Sequence, residues 1–219
     1  MYGYALCIRE EIYASDHPMV LATKNNIAQV YASEERYDEA ISLFETVIRE
    51  YCENSTEDSA FLAAVYDNLS TAYREMERYE DAIDICTEGL NIRKNIYGKR
   101  SLDYAISLNN LALIYYEMGI LNNAADIFSE ALAIKKETLP EIHGQISIGY
   151  FNLGLVYDKL HRDNEALENY RASMEIDNEL EAYEDVLLTA EYIAEIYERN
   201  DMPEDAEAYR TLCSKDDVH

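Results

Sequence analysis

The chain has 219 residues, of which 48% are hydrophobic, and it carries a formal net charge of −26. A chain of this length can bury a substantial core, but its charge argues against nucleic acid and anionic membrane surfaces, which attract clustered Lys and Arg. No run of 18 apolar residues predicts a membrane-spanning helix. The four cysteines show no paired spacing, so we expect reduced thiols and a cytoplasmic location.

The most regular feature of the sequence is a repeat of 42 residues. Three sets of residues recur at this step: Asn26, Asn68, Asn110 and Asn152; Tyr31, Tyr73, Tyr115 and Tyr157; Ala40, Ala82, Ala124 and Ala166. A fifth copy, which contains Ala206, arrives two residues early. Periodicity of this kind is typical of a repeat array.

Each copy has the pattern of two helices. In the third copy, apolar residues fall at i, i+3, i+4 and i+7 on one helical face, namely Leu108, Leu111, Ala112 and Tyr115. A short break around Gly119 follows, and a second apolar series begins at Ala124. Because a hairpin of two such helices cannot bury its apolar face alone, the copies must stack on their neighbours.

In chain order, residues 3–14 match the second helix of the third copy, so they predict a lone second helix whose first helix is absent. Complete copies are predicted at residues 19–52, 59–97, 101–138, 143–178 and 183–213. We therefore expect a single array over residues 1–219. The partial copy indicates either a fragment of a longer protein, which we favour, or an end that a partner covers.

The residues of the fourth copy resemble a known family. They run aromatic, Leu, Gly, Tyr, then Ala, aromatic and a small residue, at Tyr150, Leu153, Gly154, Tyr157, Ala166, Tyr170 and Ser173. This order resembles the tetratricopeptide repeat, whose usual period is about 34 residues. The longer step and the Asn before Leu-Ala are similar to the kinesin-light-chain type of the repeat. The resemblance implies an all-α fold, a right-handed α-solenoid of stacked helix-turn-helix hairpins.

No motif in the sequence indicates catalysis. His161-Arg162-Asp163 matches part of a kinase catalytic loop, but Glu168 replaces the Asn expected five residues after the Asp. Neither a Gly-rich loop nor D-F-G accompanies it, and the metal-site spacings HExxH and CxxC are also absent. We therefore expect no enzymatic activity, no cofactor and no metal.

The resemblance implies that first helices line a concave surface, which we call the predicted groove. The resemblance also implies which first-helix positions face this groove, and one of them holds Asn26, Asn68, Asn110 and Asn152, with Tyr192 in the fifth copy. An Asn amide both donates and accepts hydrogen bonds. These residues therefore either hold the backbone of an extended peptide or bond neighbouring repeats, and both interpretations stay open.

Six apolar residues of copies three and four also fall at groove positions: Ile106, Leu113, Tyr116, Ile148, Phe151 and Leu155. They predict either an apolar patch for a ligand's side-chain anchors or packing against the neighbouring first helix. Residues 163–207 include 16 acidic and two basic residues. This charge indicates either a solvated outer surface or an acidic end of the groove that attracts basic peptides.

These patterns together favour a non-catalytic protein–protein interaction module that binds a peptide segment of a partner in the predicted groove. The partner would be a protein or peptide, basic or with apolar anchors, and neither nucleic acid nor a membrane. The alternative is a regulatory or sensory segment of a larger multidomain protein. Such a segment would bind another part of its own chain or self-associate through its uncapped ends.

Overall fold

A computed structural model describes residues 2–54 and 59–213, and within these ranges it contains eleven α-helices and no β-strand. The helices are α1 (Tyr2–Ile12), α2 (Pro18–Ser33), α3 (Tyr37–Asn54), α4 (Ala60–Glu75), α5 (Tyr79–Tyr97), α6 (Leu102–Glu117), α7 (Leu121–Thr138), α8 (Gly144–Lys159), α9 (Asp163–Glu179), α10 (Tyr183–Arg199) and α11 (Pro203–Cys213). The prediction of an all-α fold built from helical hairpins is confirmed. The outermost parts of the predicted array, residues 1 and 214–219, lie outside the described residues.

The chain divides into two compact units, Met1–Ile114 and Tyr115–His219, with the boundary inside α6. In the first unit α2 pairs with α3, α4 pairs with α5, and α1 packs on α2. In the second unit α8 pairs with α9 and α10 pairs with α11. The assignment of these helices to a single array of repeats remains a prediction.

The repeated alanines let the helices of a hairpin cross closely. Ala40, Ala82, Ala124 and Ala166 are all fully buried. In the first unit the Ser70 hydroxyl of α4 donates a hydrogen bond to the Ala82 carbonyl of α5 at 3.1 Å. A bond of this kind needs backbones in near contact, and a larger side chain at Ala82 would prevent it.

A tyrosine forms the centre of the second unit's core. Tyr170 of α9 is fully buried and packs with Ala166, Ile193 and Tyr197. Its ring occupies the space beside Gly154 in α8, where an added Cβ would lie 2.5 Å from two ring carbons. Glycine at this position is therefore required by packing, because any side chain would overlap the ring.

Each hairpin turn uses one residue in the left-handed backbone region. The five residues are Glu35, Glu77, Gly119, His161 and Asp201, with φ between 55° and 76°. The next residue in each turn donates its backbone N–H to the carbonyl of the repeated Tyr at 2.9 Å. This bond closes a Schellman-type helix end, which explains why the Tyr and the turn keep a fixed spacing.

An arginine reinforces three of these turns. The guanidinium groups of Arg36, Arg78 and Arg162 lie over the rings of Tyr31, Tyr73 and Tyr157 at 4.2, 4.4 and 4.6 Å. Each also pairs with an acidic residue in the first turn of the next helix, at Glu39, Asp81 and Glu165. The sequence His161-Arg162-Asp163 is thus part of a structural turn.

Candidate functional site

In the first unit a cavity of about 290 Å³ lies between α2, α3 and α4. Gln29, Asn68 and Thr71, which occupy first-helix positions of the predicted groove, line it together with Glu75. These polar side chains are exposed or half-buried, and the rest of the lining is apolar, from alanine and aromatic residues of α2, α3 and α4. This surface can offer hydrogen bonds to a backbone or to polar side chains.

The four predicted asparagines differ in accessibility. Asn26 is exposed, Asn68 and Asn110 are half-buried, and Asn152 is buried. The Asn68 amide Nδ2 donates to Oδ1 of Asn25 on the neighbouring first helix at 3.2 Å. This bond supports the stacking interpretation at Asn68, whereas the role of the asparagines toward a ligand remains a prediction.

Two of the six predicted apolar groove residues, Ile106 and Leu113, are half-buried on α6 in the first unit. Tyr116, in the second unit, is half-buried, and the Lys159 ammonium group lies 4.0 Å from its ring centroid. Burial raises the pKa of Tyr116 above its ordinary value. Tyr116 therefore stays a neutral phenol that presents a ring and a hydroxyl.

Phe151 has internal contacts. Its ring lies 5.6 Å from that of Tyr170 and meets the Tyr192 ring edge-on at 5.4 Å, while Tyr192 stacks on Tyr170 at 5.5 Å. Leu155 packs against the same core cluster. Tyr192, which replaces the fifth asparagine, is therefore part of an aromatic cluster that holds α8, α9 and α10 together.

Phe151 also lines a cavity of about 170 Å³ between α8 and the α9–α10 turn. We call this cavity the α8–α10 pocket; it is defined by Ile148, Phe151, Leu180, Leu188, Asp177 and Asp185. Ile148, Leu180 and Leu188 are 50%, 42% and 46% exposed. Ile148 is thus an accessible member of the predicted apolar set.

Small polar residues form the buried base of the α8–α10 pocket. The hydroxyls of Ser147 on α8 and Ser173 on α9 lie 2.9 Å apart, and the Ser173 hydroxyl is 3.4 Å from the Asp177 carboxylate. Asp177 is only 6% exposed. Burial raises the pKa of Asp177, and the nearby Asp185 carboxylate raises it further, while the serine hydroxyls act in the opposite direction. Within the described ranges, no cation forms an ion pair with Asp177.

The second hairpin shows how a buried charge at the same repeat position is compensated. Arg93, like Asp177, lies 11 residues after its repeated Ala. Its guanidinium pairs with the Asp67 carboxylate and bonds the Ser107 hydroxyl. Burial raises the pKa of Asp67 even though Arg93 acts in the opposite direction. Here both charges are supplied by the chain itself.

Sequence reasoning missed four members of the α8–α10 pocket: Leu180, Leu188, Asp177 and Asp185. A signal for Leu188 was present, since it lies 18 residues before Ala206 just as Ile148 lies 18 before Ala166. The two carboxylates carry no such signal, because acidic residues are frequent throughout this segment. Their place in the pocket follows from the α9–α10 turn.

Over the residues that the structure describes, no group of three or more His, Cys, Asp or Glu side chains is placed to hold a metal ion. None of the described helices is both long and apolar enough to cross a membrane. Cys86 is buried, and this burial raises the pKa of its thiol to about 12, so the thiol is unreactive.

Several solved structures share the fold. BtubC (BKLC) from P. vanneervenii has a TM-score of 0.86 at 19% identity, and the match covers 100% of this chain and 90% of that one. A putative kinesin light chain from Podospora anserina with nearly identical TPR-like repeats has a TM-score of 0.78 at 19% identity, covering 93% and 99%. The Rap conjugation regulator of plasmid pLS20, solved with the Phr* peptide, has a TM-score of 0.68 at 18% identity, covering 88% and 52%.

Family models match three segments of the sequence. Each model describes the tetratricopeptide repeat, and the matched residues are 20–54, 61–137 and 149–180. No curated protein sequence matches the chain. The matched segments, the helical hairpins and the similar structures agree, and the chain belongs to the tetratricopeptide repeat family.

Proposed function

We propose that the chain is a non-catalytic interaction module that binds a peptide segment of a partner protein along the surface of its first helices. The observation that carries this proposal is that each unit has a cavity lined by first-helix side chains at groove positions. In the first unit these are Gln29, Asn68 and Thr71. In the second they are Ile148, Phe151 and Leu188.

The chemistry of the two cavities favours a peptide as the ligand. The first cavity offers amide and hydroxyl groups that can bond a peptide backbone. The second offers exposed aliphatic surface, whose removal from water contributes about 25 cal/mol per Å². The Rap regulator solved with the Phr* peptide supports the proposal, because a protein of similar fold there holds a peptide.

The proposal is tested by selecting a phage-displayed library of random peptides on the purified chain. Enriched peptides are synthesised with a fluorophore, and their Kd is measured by anisotropy. We expect the double variant Gln29→Ala, Thr71→Ala to weaken binding about tenfold, which is about 1.4 kcal/mol. Both side chains are exposed, so the circular dichroism of the variant should match that of the unchanged chain.

A matched control is the double variant Asp126→Asn, Ser129→Ala, which changes two exposed residues of the second helix α7. It should bind the enriched peptides with unchanged Kd. If no peptide is enriched, or if the control weakens binding as much as the groove variant does, the first-helix surface is not the binding site.

A further inference from the structure

The α8–α10 pocket has the dimensions of a site for one side chain. A cavity of about 150 Å³ lined by Leu, Ile and Phe holds a single benzene-sized group, and this pocket measures about 170 Å³. Drug-sized ligands need pockets of about 300 Å³ or more. A single branched aliphatic side chain is therefore the apolar group that this pocket accommodates.

The rim of the pocket consists of aliphatic side chains that remain partly exposed to water. Ile148 and Leu188 are 50% and 46% exposed although they occupy equivalent positions on neighbouring first helices. Leu180, in the turn before α10, adds a third exposed aliphatic group. Three such groups around one opening are removed from water together when a side chain enters.

The charge beside the pocket points to a cation in the ligand. Asp177 and Asp185 both line the pocket, and neither has an ion-pair partner among the residues the structure describes. At the equivalent position of the second hairpin, the chain supplies its own pair of charges, Arg93 and Asp67. In the α8–α10 pocket the chain supplies two carboxylates, and none of its described residues supplies the cation.

The surroundings strengthen this preference. Residues 163–207, which contain both carboxylates, include 16 acidic and only two basic residues. A field of one sign attracts ligands of the opposite sign and raises their association rate. An acidic peptide would meet repulsion here, and a neutral one would leave the buried carboxylate without compensation.

We propose that the α8–α10 pocket determines ligand specificity: it takes one aliphatic side chain of an extended peptide, while a Lys or Arg two positions away pairs with Asp177 and Asp185. The spacing follows from the extended chain, in which alternate side chains point to the same side. This inference rests on the proposed peptide-binding function and specifies which peptides that function selects.

The first test asks what the selected peptides share. Peptides enriched from the random library on the unchanged chain should carry an aliphatic residue and a Lys or Arg in an i, i+2 arrangement. The double variant Ile148→Ser, Leu188→Ser should no longer enrich this pattern, and it should bind the synthesised peptides at least about tenfold more weakly. Both residues are about half exposed, so the variant keeps its core.

Ile142→Ser is the matched control, because Ile142 is 48% exposed but lines a different cavity. It should leave both the enriched pattern and the Kd unchanged. An equal loss of binding in this control would show that exposed aliphatic surface in general, and not this pocket, captures the peptides.

The second test is a double-mutant cycle across the contact. One cycle member is the variant Asp177→Asn, Asp185→Asn, and the other is a peptide whose Lys or Arg is replaced by Gln. We expect each change alone to weaken binding about fivefold or more, and the two together to add little to either alone. Independent, additive effects would show that the basic residue does not meet these carboxylates.

The outcomes separate this inference from the proposed function. If peptides are enriched without the aliphatic–basic pattern, and Gln29→Ala, Thr71→Ala still weakens their binding, the function stands and the specificity inference is wrong. If no peptide is enriched, both the proposed function and the specificity inference are wrong. If sedimentation equilibrium shows a dimer that Leu188→Ser dissociates, a second copy of the chain occupies the pocket and the inference is again overturned.

Discussion

Glutamate occupies a left-handed backbone conformation in two of the hairpin turns, at Glu35 and Glu77, where glycine would be free of strain. Gly119 holds the equivalent position in the third hairpin, so the chain contains its own comparison. A residue with a Cβ in this conformation destabilises the folded state by about 1–2 kcal/mol. Glycine avoids this strain, but its greater conformational freedom in the unfolded chain offsets part of the gain in stability.

We therefore expect Glu77→Gly to stabilise the chain by about 0.5–1 kcal/mol and Gly119→Glu to destabilise it by a similar amount. Urea unfolding followed by circular dichroism measures both. A control variant, Glu75→Gly, places glycine inside the last turn of α4 and should cost about 1 kcal/mol. Destabilisation by Glu77→Gly would mean that the Glu77 side chain contributes more than its backbone strain costs.

A second prediction at the scale of the residue concerns Gly154, which lies in the interior of α8. Alanine is the better helix former by about 1 kcal/mol, but a methyl group at Gly154 would lie 2.5 Å from the Tyr170 ring. Because Tyr170 is fully buried and cannot move freely, we expect Gly154→Ala to destabilise by about 1–3 kcal/mol.

The comparison for this prediction is Gly144, the first residue of α8, where an added Cβ would meet nothing within 4 Å. Gly144→Ala should leave the melting temperature unchanged or raise it. If both substitutions raised the melting temperature, the Tyr170 ring would have room that the present packing does not show.

At the scale of the helical element, buried charges decide how neighbouring helices tolerate substitution. Asp67→Asn removes the partner of Arg93, which is only 11% exposed at its side chain, and leaves that guanidinium buried without a counter-charge. We expect a loss of about 3 kcal/mol in the free energy of unfolding, the usual result of breaking a buried pair.

Asp177→Asn should have the opposite effect, because no cation among the residues that the structure describes pairs with Asp177. Burial raises its pKa above the ordinary 3.8. An acid with a raised pKa in the folded state makes the protein lose stability as pH rises from its ordinary pKa through the raised value. We therefore expect Asp177→Asn to melt higher than the unchanged chain at neutral pH, and the difference to vanish below pH 3.8.

Each of these two variants serves as the experimental control for the other, because both convert a buried aspartate into asparagine in the same protein. Thermal melts at a series of pH values measure them side by side. A higher melting temperature for Asp67→Asn at neutral pH would show that the Arg93 pair is not needed. A lower one for Asp177→Asn would reveal a compensating cation at the α8–α10 pocket.

At the scale of the whole molecule, charge opposes folding. The net charge is −26, and like charges repel most strongly in the compact state. Exposed ion pairs such as Arg36–Glu39 stabilise the fold only weakly, because solvent screens them. Raising the ionic strength from about 0.01 M to about 0.15 M shortens the Debye length from about 30 Å to about 8 Å.

We therefore expect the melting temperature to rise with NaCl over this range, because screened repulsion outweighs the weakened ion pairs. Differential scanning calorimetry at constant pH measures the change. Sucrose at matching osmolality serves as the uncharged control. A melting temperature that falls with salt would mean that the arginine–tyrosine–carboxylate turns dominate the electrostatic balance.

The sequence predicted the hairpins because their two requirements, a small residue at the helix crossing and a tyrosine before the turn, recur at a fixed spacing. It did not reveal the arginines that stack on Tyr31, Tyr73 and Tyr157, because the sequence pattern indicates only a break between two helices there. Phe151 could not be assigned from spacing, because its contact with Tyr192 joins residues that are 41 positions apart. The predicted apolar set covered only copies three and four, so it omitted Leu188 of the fifth copy.

The bond of Arg93 to Ser107 also bears on how such a chain can change during evolution. Recombination within tandem repeats readily deletes one period, and loss of residues 98–139 would keep every helix in phase. The new junction would set Arg93 against Gly149, which has no hydroxyl to accept its bond. Repeats that match in length are therefore not freely interchangeable at this junction, because Arg93 depends on the Ser107 hydroxyl of the repeat that follows it.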